Sequence, residues 1–480
     1  MELKLENKKA FLWSATNNLS KLFFSFLTPI ILARILGPEA FGLIALALIL
    51  VGLSQIFIDF GTTEAIIKSR NISSKFLSSL FFFNLSICIF IYILILLLTP
   101  LVSNYFNKEE LNIIIPLLSI GIFFQFIGII PSSLFKREKN FLALTKADFL
   151  SRLISSIVAI IYSLYHADVY ALVILSLSQS ILYGIFLILF STWRIKLYFS
   201  FSHIKMVFSF TASLFFIKIV NHIERQSDRV FIGPIYGDLL LGVFTRGLAL
   251  QKAIQRFING FFNPVFFSIL TRENSLETIR NSLKQTYEAF LLMMFPLFLL
   301  FSFFSEELVL LIFGNQWEEM IPLLPLFAFL FLIRPFQKIN QEIIKAKGNI
   351  FFLVACFSLY TPILISIYYF YADQFGLAGY IYAYIFISFL FLISSFIYIC
   401  KLLDIKISFL IDLFRVFLPR AFLCFLIAYI LNMVSFLQGL YFIKLSLFCV
   451  LLLLSLLLMQ VLHYSSVQKS IQEAILGSIK

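Results

Sequence analysis

Apolar runs of about 20 residues, separated by short polar breaks, recur from one end of the chain to the other, and each could cross about 30 Å of hydrocarbon as a helix. The pattern predicts spans over Phe11–Leu36, Phe41–Phe60, Leu77–Thr99, Ile113–Phe135, Asp148–Tyr165 and Val169–Thr192. A second set follows over Val207–Arg225, Leu239–Phe266, Ala289–Ser305, Ile321–Lys345, Phe351–Tyr371 and Gly376–Cys400. Arg415–Ser435 and Tyr441–His463 complete it. The expected fold is an all-α polytopic membrane protein of about fourteen transmembrane helices, because only closed hydrogen-bonding within each helix satisfies a backbone in lipid.

The two sets share a local motif. ILGPEAFGLI (Ile35–Ile44) and IYGDLLLGVF (Ile235–Phe244) both carry Ile, then Gly two residues on, then Gly five residues later. Each lies between the first and second span of its set. An even number of spans per copy gives both copies the same orientation, so the expectation is two parallel-repeat six-helix lobes around a central cavity, plus two C-terminal helices. The corresponding domains are 1–200, 201–405 and 406–480.

Composition agrees with the pattern: hydrophobic residues make up 61% of the 480 and charged residues only 13%, more apolar surface than a soluble core of this length could hide. Net charge is +12. Basic residues flanking membrane spans stay in the cytoplasm, which places Lys68, Arg70, Lys75, Lys136, Arg137, Lys139, Arg194 and Lys196 inside and Glu306, Glu307, Glu318 and Glu319 outside. Both termini are then cytoplasmic, and the N-terminal segment is expected to remain attached, since a full-length span follows it without a cleavage site. The positive charge is spread over many short segments, so it reads as topology and contact with membrane lipids, and no nucleic-acid partner is expected. Cys88, Cys356, Cys400, Cys424 and Cys449 read as small buried hydrophobes.

Charges inside the spans are the exception that needs a reason. Ser14, Asn17, Lys21, Ser25 and Thr28 fall three and four residues apart on one face of the first span, with Asn18 beside them. The shift of the repeat brings Lys218 and Asn221 opposite Asn18 and Lys21. Arg246, Lys252 and Arg256 follow in the eighth span, and Arg334 and Lys338 in the tenth. Each membrane-buried cation costs about 2.5–3.5 kcal/mol on insertion scales, so this set implies water, an acid or a bound anion. Two readings of Lys21 and its counterparts stand side by side: lining a cavity, or snorkelling to the headgroups. Asp148 and Arg152, four apart, are expected to pair, and Glu224, Arg225, Asp228 and Arg229 form a mixed cluster readable as a structural ion-pair group or an outer gate.

Trp13–Ile67, above all ARILGPEAFG (Ala33–Gly42), with LSSLFFFNL (Leu77–Leu85) and PLVSNYF (Pro100–Phe106), resembles Wzx-type flippases of lipopolysaccharide, capsule and colanic-acid assembly, within the multidrug/oligosaccharidyl-lipid/polysaccharide superfamily. The resemblance implies an inner-membrane protein that moves undecaprenyl-diphosphate-linked oligosaccharide from the cytoplasmic to the periplasmic leaflet by alternating access. A polysaccharide polymerase and its chain-length machinery are the implied protein partners. On this reading Lys21, Lys218 and Arg246 meet the diphosphate, with Lys252, Arg256, Arg334 and Lys338 in the same cationic set. Asn17, Asn18 and Asn221 bond sugar or phosphate, and Ser14 and Ser25 complete the polar lining.

Enzymatic readings find no footing. The sequence has no phosphate-loop motif, and His166, His203, His222 and His463 have no metal-like spacing; neither catalysis nor a cofactor is expected. Two rivals remain: a cation-coupled multidrug exporter of the same superfamily, which needs membrane carboxylates that the first span lacks, and a non-transporting scaffold of a polysaccharide assembly complex.

Overall fold

A computed structural model describes residues 2–59, 61–69, 72–272, 276–405, 408–433, 441, 443–448 and 450–451. Regular structure among them is helical: α1 (Glu2–Ile35), α2 (Pro38–Asp59), α3 (Thr62–Lys68), α4 (Ser74–Phe106), α5 (Leu111–Arg137), α6 (Phe141–Tyr165) and α7 (Tyr170–Phe190) come first. They are followed by α8 (Phe201–Arg272), α9 (Leu276–Phe303), α10 (Ser305–Ile312), a short 3-10 turn (Asn315–Met320), α11 (Leu324–Ala346), α12 (Ile350–Leu403) and α13 (Ser408–Met433). Among the described residues nine helical stretches are long and apolar enough to cross a membrane. The expected span over Tyr441–His463 lies mostly outside the described residues.

Helix ends follow local chemistry. Ser73 caps α4 by accepting from the Phe76 N–H at 3.1 Å, Asn140 caps α6 through Ala143 N–H, and Asp59 at the end of α2 accepts from both the backbone N–H and the hydroxyl of Thr63 in the first turn of α3. Arg137 closes the other end of α3 by donating to the carbonyls of Ile66 and Ser69. The two longest helices are each a pair of arms joined at one glycine, Gly237 (φ 79°, ψ 178°) in α8 and Gly376 (φ 57°, ψ −161°) in α12. Such angles cost other residues about 1–3 kcal/mol, so a single glycine breaks each helix into two arms. Both breaks fall where the hydropathy pattern separates successive spans.

Residues Met1–Arg246 form one compact unit and Gly247–Lys480 another. Within the first, α1 lies along α6, with Trp13 O accepting from Thr145, the Phe24 and Phe149 rings 5.5 Å apart, and the Thr28 and Ser156 hydroxyls 2.8 Å apart. These contacts ascend together, so α1 and α6 run parallel. The same holds for α5 and α7, joined by Gln125 Nε2 donating to Ser180 Oγ at 3.0 Å, the small-residue and amide contacts that hold helices together in lipid.

The motif repeat becomes a reciprocal contact here. A Cβ on Gly42 would stand 1.9 Å from the Asp238 carbonyl oxygen, and one on Gly242 would stand 1.8 Å from the Pro38 carbonyl oxygen. Pro38 and Asp238, like Gly42 and Gly242, are the matching positions of the two copies. The start of α2 and the start of the second arm of α8 therefore cross backbone to backbone, each glycine receiving the other copy's carbonyl. Beside this crossing Lys108 pairs with Asp238 at 2.8 Å.

In the second unit α11 runs parallel to the second arm of α12 through three polar contacts. Arg334 donates to the Tyr384 hydroxyl, Gln337 to the Ser388 carbonyl, and Asn340 Nδ2 to Ser395 Oγ at 3.0 Å. The Tyr287 hydroxyl on α9 closes the last of these by donating to Asn340 Oδ1.

Candidate functional site

The first unit gathers most of the membrane charge that the sequence singles out. Lys21, half-buried on α1, feels Asp148 and Arg152 of α6 and Lys136 at the end of α5. Asp148 is buried and grips Arg152 twice, at 2.8 Å to Nε and 3.2 Å to a terminal nitrogen, the expected pair. With its side-chain amide turned so that oxygen faces the guanidinium, Gln179 of α7 accepts from both terminal nitrogens of Arg152 at 3.2 Å. One carboxylate thus serves two cations, and it is already held by one of them.

The polar face of α1 is only partly satisfied. Ser25 turns back onto the Leu22 carbonyl and Thr28 bonds Ser156. Asn17 Oδ1 and Ser20 Oγ are buried with no hydrogen-bond partner among the described residues, while Asn18 is exposed. A buried unpaired acceptor or donor costs about 1–3 kcal/mol, and a polar ligand is one way to remove that cost.

The first arm of α8 faces α2. His222 Nε2 lies 3.2 Å from the Ile49 carbonyl oxygen, and Arg229 donates to the Ala45 carbonyl at 3.3 Å. Asp228 is buried beside Arg229. Past the Gly237 break, Arg246 lays its guanidinium 4.5 Å from the centroid of Phe41, a cation–π contact worth about 0.5–2 kcal/mol. Arg229 is close enough to repel it. The Nε of Arg246 is buried with no hydrogen-bond partner among the described residues, as is Oε1 of Gln226. Arg246 and Arg229 are thus brought together, with two unmet polar atoms on the same helix.

The remaining cations sit in the second unit and are differently engaged. Arg334 is bonded to the Tyr384 hydroxyl and also stacks on its ring, 4.9 Å from the centroid. Lys338 pairs with Glu342 at 2.7 Å, and Lys345 shares that carboxylate at 3.5 Å. Lys252 and Arg256 are exposed, and Arg256 Nε donates to the Lys252 carbonyl. The side chains of Ser14, Lys218, Asn221, Glu224 and Arg225 lie outside the described residues. Sequence reasoning missed Gln179, Tyr384, and the Lys108–Asp238 pair beside the glycine crossing. Gln179 alone left a signal, as the one amide in an otherwise apolar and serine-bearing span.

Removing the Asp148 charge should expose how much the cluster depends on it. Asp148→Asn leaves Arg152 and Lys21 facing each other without their shared carboxylate, and a loss of about 3–5 kcal/mol is expected. Thermal unfolding of the solubilised protein checks this. The double variant Asp148→Leu, Arg152→Leu should recover most of the loss, because it removes the buried charges together.

The family model described as polysaccharide biosynthesis protein matches residues 31–322, more than half of the chain and inclusive of both glycine motifs. The chain belongs to this polysaccharide biosynthesis protein family. Among curated relatives, the teichuronic acid biosynthesis protein TuaB of Bacillus subtilis is 24% identical over 303 residues, 62% of either chain. The match therefore spans less than two thirds of that relative's length. The lipopolysaccharide biosynthesis protein WzxC of Escherichia coli is 22% identical over 343 residues, 70% of this chain and 69% of its own. Among solved structures, the lipid II flippase MurJ in an inward closed conformation superposes with a TM-score of 0.71 at 16% identity, covering 94% of this chain and 99% of MurJ. The family member described here is accordingly an all-α polytopic membrane protein with a fold shared with MurJ.

Proposed function

We propose that this protein is a flippase for undecaprenyl-diphosphate-linked oligosaccharide repeat units, carrying them from the cytoplasmic to the periplasmic leaflet of a bacterial inner membrane for surface polysaccharide assembly. The work is transport without catalysis, by alternating access of two six-helix lobes, 1–200 and 201–405, around a central cavity, with about fourteen spans in all and both termini in the cytoplasm. A polymerase and its chain-length machinery receive the product.

One observation carries the reading: in the first unit Lys21 and Arg246 each stand beside another cation, and Arg246 Nε is buried with no hydrogen-bond partner among the described residues. Asp148 is committed to Arg152 while Lys21 adjoins both. Arg246 lies against Arg229 with its own Nε unpartnered. A diphosphate supplies the missing anion, because ammonium and guanidinium groups form charge-assisted hydrogen bonds to phosphate oxygens roughly twice as strong as neutral ones. Lys21 and Arg246 are the proposed diphosphate contacts, with Lys218 as the repeat counterpart. Asn17, Asn18 and Asn221 are proposed as hydrogen-bond partners for sugar or phosphate. Family membership, with relatives named for teichuronic acid and lipopolysaccharide biosynthesis, supports the substrate class.

The test is polymer production in a host that lacks its own flippase and carries the matching biosynthetic genes, with wild type, Lys21→Ala, Lys218→Ala and Arg246→Ala at equal expression. Polymer is expected to fall at least about tenfold for each variant, the effect of losing one charge-assisted contact of about 1.5–3 kcal/mol, while lipid-linked repeat units accumulate on the cytoplasmic side. Full polymer in the triple variant would sink the cationic mechanism.

A further inference from the structure

The segment between α7 and α8 is not a slack connection. Residues 191–200 are strapped across the start of α4: the Lys196 N–H donates to Ser78 Oγ at 3.0 Å and the Ser200 N–H to Ser79 Oγ at 3.1 Å. Ser79 Oγ also lies 3.2 Å from His203 Nδ1. The Trp193 ring packs 5.9 Å from Phe81, and His203 lies edge-on to Phe76 at 5.6 Å. Anchored in this way, the strap turns its apolar side chains outward. Ile195 is 50% exposed, Leu197 94%, Phe199 53% and Phe201 71%. Tyr198 N–H donates to the Lys196 carbonyl at 2.8 Å, a three-residue turn that sets Leu197 at its tip.

Basic residues alternate with these. Arg194 and Lys196 flank Ile195, Lys205 is one turn into α8, and Lys75 stands 5.2 Å over the Tyr198 ring; all four basic side chains are exposed. No acidic residue occurs between Asp168 and Glu224. The strap also meets α4 within its first two turns, whereas α4, 33 residues long, extends about 50 Å and so outreaches the hydrocarbon layer. That level is the headgroup region, where aromatic rings and cations collect.

We infer that the strap is a docking surface for the anionic phospholipid of the adjoining leaflet. Ile195, Leu197, Phe199 and Phe201 enter the boundary between headgroups and acyl chains, and Arg194, Lys196, Lys205 and Lys75 meet the phosphates. Protein partners would be expected to match the apolar row with a groove of their own; a bilayer needs only the row and the charge, and both are present. The inference requires the membrane-spanning fold and the cytoplasmic orientation of this turn, and does not require flipping activity.

The experiment uses the full chain with its five cysteines replaced, reconstituted in lipid nanodiscs, with bimane on Leu197→Cys or Phe199→Cys and on Glu109→Cys as a control in the α4–α5 turn. In discs containing phosphatidylglycerol, lipids carrying a shallow nitroxide should quench positions 197 and 199 at least about threefold more than position 109, and iodide should quench them less. In Arg194→Gln, Lys196→Gln, Lys205→Gln, or in phosphatidylcholine discs, that quenching should fall at least about twofold. Iodide quenching at 197 and 199 equal to that at 109 would overturn the inference and leave the row for a protein. Equal lipid quenching in neutral and anionic discs would overturn the assignment to anionic lipid. Polymer assays stand apart from both, so a wet strap on an exporting protein refutes this inference alone, and a docked strap on a protein that exports nothing refutes only the transport reading.

Discussion

Gly42→Ala and Gly242→Ala are each expected to destabilise the protein by about 3 kcal/mol, the upper end of the range for overpacking. The added methyl would land 1.9 Å from the Asp238 carbonyl oxygen in the first case and 1.8 Å from that of Pro38 in the second. A carbonyl at the start of a helix cannot rotate aside as a side chain can; one helix end must move. Gly52→Ala supplies the contrast, since its methyl would meet the Cε1 of the His222 side chain at 2.8 Å, which can turn away. Thermal unfolding followed by fluorescence-detected gel filtration should place Gly52→Ala near wild type and both crossing variants far below. The double variant should cost less than the sum of the singles, because the first methyl already parts the helices. If Gly42→Ala unfolds no earlier than Gly52→Ala, the two backbones do not cross at this distance. Lys108 and Asp238 close the same corner at 2.8 Å, so any motion that opens this side would part the ion pair and the glycines together.

Hydropathy made the helices legible because a span needs only length and apolarity, and both are local. The glycine motif was legible for a second reason: a position without Cβ is informative whatever surrounds it, and the two copies stand at matching places. The sequence did not reveal that the copies touch each other, because a contact across about 200 residues leaves no local mark. Lys21 and Asp148 show the same division. The spacing of Asp148 and Arg152 announces a pair on one helix turn, whereas the approach of Lys21 depends on α1 running along α6. Arg334 went the other way. By spacing it belonged to a cationic row with Lys338, but Tyr384 and Glu342 give these two residues partners inside their own unit. A row of charges on one helix records a shared face, and only the neighbouring helix decides whether that face is wet, paired or ligand-bound. In the first unit Arg246 Nε has no hydrogen-bond partner among the described residues, and the proposed diphosphate site rests on that.

Glu307, one of the acidic residues that the charge pattern puts on the outer side, is buried, and Lys444 from the 443–448 helix donates to it. Asn432 of α13 accepts from the same ammonium at 3.2 Å, and the Phe304 ring lies 5.3 Å from it. With side chains only 9% and 6% exposed, the pair is desolvated, and its attraction is offset by the cost of removing both charges from water. Glu307→Gln should therefore destabilise by about 3–5 kcal/mol, because it abandons a cation in an apolar setting, and Lys444→Met should do the same to the carboxylate. Removing both at once, as Glu307→Leu with Lys444→Met, should be neutral or stabilising by about 1–4 kcal/mol. Thermal midpoints of the three variants decide it: a double variant as unstable as the singles would mean that the pair contributes net attraction beyond its desolvation. If the double variant is stable, the ion pair is kept for something other than stability. Its geometry suggests register, since one lysine and one glutamate fix how far the last described helix slides along α10, a choice that leucine and methionine contacts would leave loose. That distinction is measurable in the double variant as a loss of a single thermal transition without a loss of midpoint.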